Sequence, residues 1–482
     1  MSFLARNDYS HLPAGFSDPV SPADFPRRDL RFWNERWAMR IGLGGLTASQ
    51  QESHFARFQA LPGCQLKPLA MRYHGHQFRH YNPQLGDGRG FLFAQVEDPI
   101  DRRLLDFGTK GSGKTPYSRG GDGCLTLKGA VREALATEML EALGVNTSKT
   151  FCFFETGEAL HRGDEPSPTR SAVLTRLSHG HIRYGTFQRF AALGEVENLR
   201  KLLRYSSKVS FPAIGEREEH DLVLHFLEEV TVRAAELAAS WMMAGFVHGV
   251  LNTDNMNITG ESFDYGPWRF LPFYDPSFTA AYFDHEGLYC YGRQAEAVYW
   301  NLDQLARALF TLVPEGQESQ WQSDLVKVLE IYPAVYRSSL NMRFVERLGL
   351  ETSESEADRE ELLTLGIESL KESKVPFESF FFDFYTGSLR NPQSAVKYSG
   401  PESLKFIRAV QSGAWSAQEA AKNRLAANGK GREYFDRQLP EMMLVDDVEN
   451  IWSAIDEHDD WSLFHDKIAR VRERGKIYGF GI

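Results

Sequence analysis

Residues 108–123 read GTKGSGKTPYSRGGDG, six glycines and one proline in sixteen positions. Such a stretch constrains the fold strongly, because each interior glycine costs a helix about 1 kcal/mol. Its first eight residues satisfy the phosphate-loop pattern G-x-x-x-x-G-K-[ST] through Gly108, Gly113, Lys114 and Thr115. That pattern works where the lysine and hydroxyl residue open a helix whose first amides face the phosphates. Pro116 is tolerable in a first turn, but Gly120, Gly121 and Gly123 follow at once. No parallel αβ alternation comes after them either. The context argues against a phosphate-loop NTPase and makes Lys114 a bystander in a turn.

A chain of 482 residues is expected to form two or three lobes. Net charge is -11 and no Lys/Arg block exceeds two residues. Nucleic acid and anionic membranes need concentrated positive charge, so neither is expected as a partner. Four scattered cysteines, Cys64, Cys124, Cys152 and Cys290, show no C-x-x-C spacing, which points to a reducing compartment. The start, MSFLARNDYSHLPAG, lacks the apolar core of a signal peptide. The apolar segment 234–251 is broken by Glu236, Gly245 and His248 and reads as a buried helix rather than a membrane span. The expected location is the cytoplasm.

Residues 1–65 are mixed, with a basic aromatic patch, RRDLRFWNERWAMR, and few strand signals. GDGRG (86–90) precedes the apolar run 91–96, and a Pro/Asp turn leads to a second run, LLDFGTK (104–110). This predicts an antiparallel hairpin. A helix follows over 125–144, with Leu127, Val131, Leu135, Met139 and Leu143 on one face and Gly144 as its stop. Further strands are predicted at 151–156 and 171–177, then helices at 219–245, 294–312, 319–347 and 357–373. The order predicts an α+β, bilobal fold with a cleft: a β-rich N-terminal lobe with one prominent helix, then a larger helical lobe.

Protein kinases carry these parts in this order: a glycine-rich loop, a lysine on a later strand, a glutamate on the next helix, a catalytic loop ending in Asn, then Asp-Phe-Gly. Here they are GDGRG, Lys110, Glu133, HGVLNTDN (248–255) and FDYGP (263–267). Alignment on H-R-D-x-x-x-x-N puts Val250 where the catalytic Asp belongs. Valine cannot accept a proton, and the nearest carboxylate is Asp254.

Together with YHGHQF (73–78), YNPQLGDGRG (81–90), KGSGKTPYSRGGDG (110–123), HIRYGTF (181–187), YFDHEG (282–287) and WNLDQLARAL (300–309), these residues resemble the selenoprotein O family over roughly 70–310. The resemblance implies a kinase-like fold that binds ATP in a flipped orientation. It also implies transfer of AMP to Ser, Thr or Tyr hydroxyls of proteins. Carried over residue by residue, Gly86, Gly88 and Arg89 contact nucleotide, and Lys110, held by Glu133, meets phosphates. Asp122 and Gly123 line the same pocket, and Arg176 and Arg183 grip the outer phosphates. Asn255 and Asp264 coordinate Mg²⁺ or Mn²⁺, Asp264 also contacts nucleotide through its metal, and Asp254 is the general base. The competing reading of Asp254 is a turn former that only orients Asn255. His248, His74 and His76 are read as structural.

The resemblance divides the chain into an extension with the N-terminal lobe (1–185), a C-terminal lobe (186–374) and a divergent helical region (375–482). The family's C-terminal selenocysteine or cysteine has no counterpart after Cys290. Phosphorylation or uridylylation on the same scaffold, and a non-catalytic pseudokinase, remain the alternative functions.

Overall fold

The computed structural model describes residues 2–480 except 13, 66, 164, 352–354, 391, 413–414 and 427–429. Its centre is an antiparallel sheet of nine strands among the described residues. The path runs Ser17–Pro19, Leu69–Met71, Leu92–Glu97, Leu104–Lys110, Thr169–Ser178, Lys149–Leu160, Asp29–Trp33. Leu104–Lys110 is buried along its whole length, including the polar Asp106, Thr109 and Lys110, because both faces of the sheet are covered.

One face packs on aromatic side chains of the first 65 residues and the sheet, with Phe55, Phe58, Phe93, Phe107 and Phe151 in one cluster. The other face packs on the helix Leu127–Ala142. Thr126 caps that helix by accepting a hydrogen bond from the Gly129 N–H at 3.1 Å. Gly144 ends it at φ 77°.

The structure corrects two expectations. Residues 1–65 do contribute strands: Ala5–Arg6, Ser17–Pro19 and Asp29–Trp33 all join the sheet. Their signal is weak because Ser17–Pro19 and Asp29–Trp33 lie at the edges. A proline is tolerated at an edge, and Asp29–Trp33 takes its pairing from Lys149–Leu160 while only Phe32 is buried. The helical stretch 319–347 is two helices, Glu318–Leu329 and Tyr332–Arg347. Pro333, which has no N–H to donate, starts the second.

The long helix Glu219–Met243 organises the helical part, packing against Gln294–Phe310, Glu318–Leu329 and Tyr332–Arg347. Among the described residues no helix is long and apolar enough to cross a membrane. Within the divergent region 375–482, residues 391, 413–414, 427–429 and 481–482 lie outside the described residues. The helix Ser462–Tyr478 returns to the back of Leu127–Ala142. Gly475 permits the approach, since a Cβ there would stand 3.1 Å from the Ala142 backbone.

Arg472 donates two hydrogen bonds to the buried Glu138, at 2.6 and 2.7 Å, and Arg36 adds a third at 2.9 Å. Glu138→Ala would take the carboxylate from Arg472, while Arg36 keeps Glu141 at 2.8 Å. It is expected to lower the unfolding free energy by about 2–4 kcal/mol in denaturant titrations, with the Ser462–Tyr478 helix losing amide-exchange protection first.

Candidate nucleotide site

The register of two strands builds the floor of the site. Lys110 stands opposite Leu174, and Arg176 opposite Gly108. Directly paired residues share a face and side chains alternate with period two, so Lys110 and Arg176 project on the same side, toward the helix that carries Glu133. Gly108 is needed there because a Cβ would fall 1.9 Å from the His181 ring.

Glu133 is fully buried and accepts from Lys110 Nζ at 2.8 Å. It also accepts two hydrogen bonds from Arg176, one of them at 2.9 Å. The opposing side comes from a loop closed by the short pairing of Phe246–Val247 with Arg269–Phe270. Within it Asp264 adopts φ 63° and reaches Arg176 at 2.9 Å and Lys110 at 3.3 Å.

Arg183 completes the set. It donates to the Asp254 carbonyl at 2.7 Å and lies 3.4 Å from both Asp264 Oδ2 and Asp87 Oδ1. Its guanidinium rests over the rings of Tyr73 and Phe263, at 4.5 and 4.8 Å. Burial acts against the charge of Glu133 and of Asp264. The neighbouring cations outweigh it: Arg176 and Lys110 for Glu133, the same two and Arg183 for Asp264. Both carboxyls are thereby held below their ordinary values. Lys110, Arg176 and Arg183 thus stand in one charge network with Glu133, Asp264 and Asp87, and an anionic ligand can take a share of the cations.

A cavity of about 770 Å³ opens over this floor. It brings together Gly86, Gly88, Arg89, Lys110, Asp122, Gly123, Arg176, Arg183, Asp254, Asn255 and Asp264; Glu133 lies beneath it. Arg89 is exposed at the rim. The Asp122 side chain forms an ion pair with Arg162, at 2.7 Å, at the cavity wall. The resemblance puts Arg176 with Arg183 on the outer phosphates; its Nε and Nη2 donate to Glu133 and Asp264, and none of these bonds uses Nη1.

Lys114 is exposed and does not line the cavity. Thr115, the hydroxyl a phosphate loop would give to a metal, donates instead to the Asp87 carbonyl at 2.6 Å. Ser118 does the same to the Gly88 carbonyl at 2.5 Å, so this segment braces the glycine-rich loop. Gly86 and Gly88 accommodate it, because a Cβ at either would collide with Tyr117.

A family model described as protein adenylyltransferase SelO matches residues 3–472. The chain belongs to the SelO family. A protein nucleotidyltransferase YdiU from Gloeobacter violaceus is 42% identical over 474 residues, covering 96% of this chain and 94% of its own. One from Trichodesmium erythraeum is 42% identical over 472 residues, covering 95% and 96%. One from Brevibacillus brevis is 37% identical over 399 residues, covering 82% and 78%. The SelO match thus runs beyond the 70–310 in which the motifs lie, and membership makes the chain a nucleotidyltransferase by family.

Asp254 is buried, and its Oδ1 takes no hydrogen bond among the described residues. Burial raises its pKa from 3.8 to about 6, with Arg183 opposing. The Asn255 amide donates to the Val250 carbonyl at 3.0 Å, leaving its oxygen as the acceptor end. The side-chain oxygens of Asp264 and Asn255, both lining the cavity, are the kind of donor that fits a hard cation such as Mg²⁺ or Mn²⁺. Among the described residues no group of three or more His, Cys, Asp or Glu could hold a metal unaided. That matches an ion that takes one or two carboxylates and completes its shell with phosphates and water.

His248 is buried and donates from Nε2 to the Phe263 carbonyl at 2.9 Å, fixing the loop. Sequence reasoning missed Asp87, Tyr73, Arg119 and Arg162 in this cavity wall. Asp87, Tyr73 and Arg119 had a signal, since they lie within GDGRG, YHGHQF and KGSGKTPYSRGGDG; Arg162 had none.

The raised pKa of Asp254 carries a stability consequence. Between about pH 4 and 6 the unfolded chain ionises this group while the fold keeps it protonated, so the fold loses stability as pH rises. Asp254→Asn is therefore expected to stabilise the ligand-free protein by ~1–3 kcal/mol at neutral pH. The two proteins should converge near pH 4 in denaturant titrations.

Proposed function

We propose that the protein transfers AMP from ATP to Ser, Thr or Tyr hydroxyls of acceptor proteins. The observation that carries this reading is a buried carboxylate without a hydrogen bond, Asp254 Oδ1, in the same cavity as three buried cations. We read the sheet with its helix Leu127–Ala142 as the smaller lobe of a kinase-like fold and the helices after 185 as the larger, with ATP flipped between them. Four cysteines without a disulfide suit a reducing cytoplasm.

In this reaction the acceptor oxygen attacks the α-phosphorus and forms a new P–O bond. The bond to the oxygen bridging α and β breaks, and pyrophosphate leaves with its electron pair. The hydroxyl proton passes to Asp254, which burial keeps close to neutrality in affinity for a proton. Charge builds on the leaving group, so cations pre-set in a dry floor stabilise the transition state without reorganising. Lys110, Arg176 and Arg183 meet that need. Arg89, exposed at the mouth, and the backbones of Gly86, Gly88 and Gly123 bound the nucleotide with Asp122. Asn255 and Asp264 would hold Mg²⁺ or Mn²⁺, which would neutralise phosphate charge when bound. Arg176 would meet the phosphates with Nη1, which its bonds to Glu133 and Asp264 do not use.

The test is transfer of label from ATP marked separately at the α- and γ-phosphates, with Mg²⁺ or Mn²⁺, beside an Asp264→Ala control. Label retained only from α is expected. Label only from γ would replace adenylylation with phosphorylation, transfer only from UTP would replace it with uridylylation, and binding without transfer would leave a pseudokinase. Lys110→Ala is expected to lose roughly 100-fold or more in rate, while Lys114→Ala keeps most of it.

A further inference from the structure

Nothing so far explains the hairpin that lies over the outside of the Asp254 turn. Strands Gly75–Gln77 and His80–Asn82 pair antiparallel, with Phe78 and Arg79 as the two turn residues. Both have left-handed backbones, φ 49° and 65°. Two-residue hairpin turns need this conformation, but Asn and Gly normally supply it. A bulky residue there costs about 1–3 kcal/mol. Contacts around the tip offset the strain. The Phe78 N–H donates to Asn252 Oδ1 at 3.1 Å, and its ring lies 4.9 Å from that of Tyr289. Arg79 sits 5.6 Å over Trp300 and 3.3 Å from Glu296.

Beneath the tip, three residues close a triangle, His76 through both its backbone N–H and its ring. The His76 N–H donates to Thr253 Oγ1 at 2.7 Å. That hydroxyl donates to Gln188 Oε1 at 2.6 Å, and Gln188 Nε2 donates to His76 Nδ1 at 2.8 Å. Thr253 and Gln188 are buried. The three belong to different elements: the hairpin, the turn Thr253–Asn255, and the helix Tyr184–Ala192 that begins directly after Arg183. The triangle therefore ties the Asp254 turn to the same helix start that presents Arg183 to the Asp254 carbonyl.

The hairpin backbone also sits on the carboxylate itself. A Cβ on Gly75 would lie 3.1 Å from both Cβ and Oδ1 of Asp254. Yet that oxygen takes no hydrogen bond from the described residues. The wall restricts the carboxylate sterically without consuming its lone pairs, which is what a proton acceptor needs.

We propose that Thr253, closed into a triangle with His76 and Gln188, is the positioning residue for Asp254, and that the hairpin is the wall that fixes its carboxylate in the cavity. The claim rests on the reading of Asp254 as the base. It gives His76 a task in the site without making it a ligand or an acid.

The test compares Thr253→Val, which keeps the shape and deletes both hydrogen bonds, with Thr253→Ser, which can remake them. Each is measured for α-label transfer and solved as a ligand-free crystal structure. Thr253→Val is expected to lose roughly 100-fold in kcat, the scale of a displacement near 1 Å. Its KM for ATP should stay within about twofold, and Thr253→Ser should recover kcat to within about threefold of the parent. A Val variant with parental kcat, or a Ser variant that falls as far as Val, overturns the proposal. If Thr253→Val does not fold, Gln188→Met opens the triangle from the helix side and must give the same split between kcat and KM. If the parent protein itself transfers no α-label, the adenylylation reading fails and the structures decide positioning. An Asp254 carboxylate displaced in Thr253→Val, with Asp264 unmoved, supports it; one that stays in place refutes it.

Discussion

Glu133, a carboxylate with no exposed surface, is the point on which the site hangs. One strand brings it Lys110, the neighbouring strand brings it Arg176, and both cations reach across to Asp264 on the loop after the long helix. A buried ion costs several kcal/mol to desolvate, and removing one partner of such a pair typically costs 3–5 kcal/mol. Such a network is weak evidence for stability. What it supplies is geometry: one arrangement in which sheet, helix and loop all satisfy their charges, so the floor of the cavity is set before a ligand arrives. Outside this floor the helix Ser462–Tyr478 braces the glutamate helix from behind, and the residues of the first strands close the sheet's edges.

Glycines provide the second constraint, and they act at specific places. Gly108 makes room for His181 beside Arg176, and Gly90 lets two strands approach where a Cβ would meet the Thr109 carbonyl at 2.1 Å. Gly86 and Gly88 let Tyr117 and its neighbours lie on the nucleotide loop. The segment that imitates a phosphate loop is thus a brace for the glycine-rich loop 86–90. Its hydroxyls face backbone carbonyls of the glycine-rich loop.

Much of this could be read along the chain. The hairpin of 92–97 and 104–110, the helix carrying Glu133, the strands around 151–156 and 171–177 and the long helix from 219 all follow from apolar period and stop signals. So did the gathering of Lys110, Glu133, Asp254, Asn255 and Asp264, because short motifs in fixed order leave few ways to fold. What escaped were edge strands such as Asp29–Trp33, whose ladder comes from a partner 120 residues away and whose own propensity is modest. Arg162 escaped for a similar reason, since its pairing with Asp122 spans 40 residues and leaves no local pattern.

The sequence by itself determined the order of elements, the absence of a helix after GTKGSGKT, and which residue types could hold a nucleotide and a hard cation. Glycine and proline act locally, through backbone entropy and missing donors, and so do period-two and period-3.6 patterns. Only the tertiary structure decided that Nε and Nη2 of Arg176 go to Glu133 and Asp264, that Asp254 Oδ1 is buried without a hydrogen bond among the described residues, and that Gly75 packs against that carboxylate. Charge pairing and desolvation depend on distances between residues remote in the chain, and those distances exist only once the sheet, the helices and the loop have packed together.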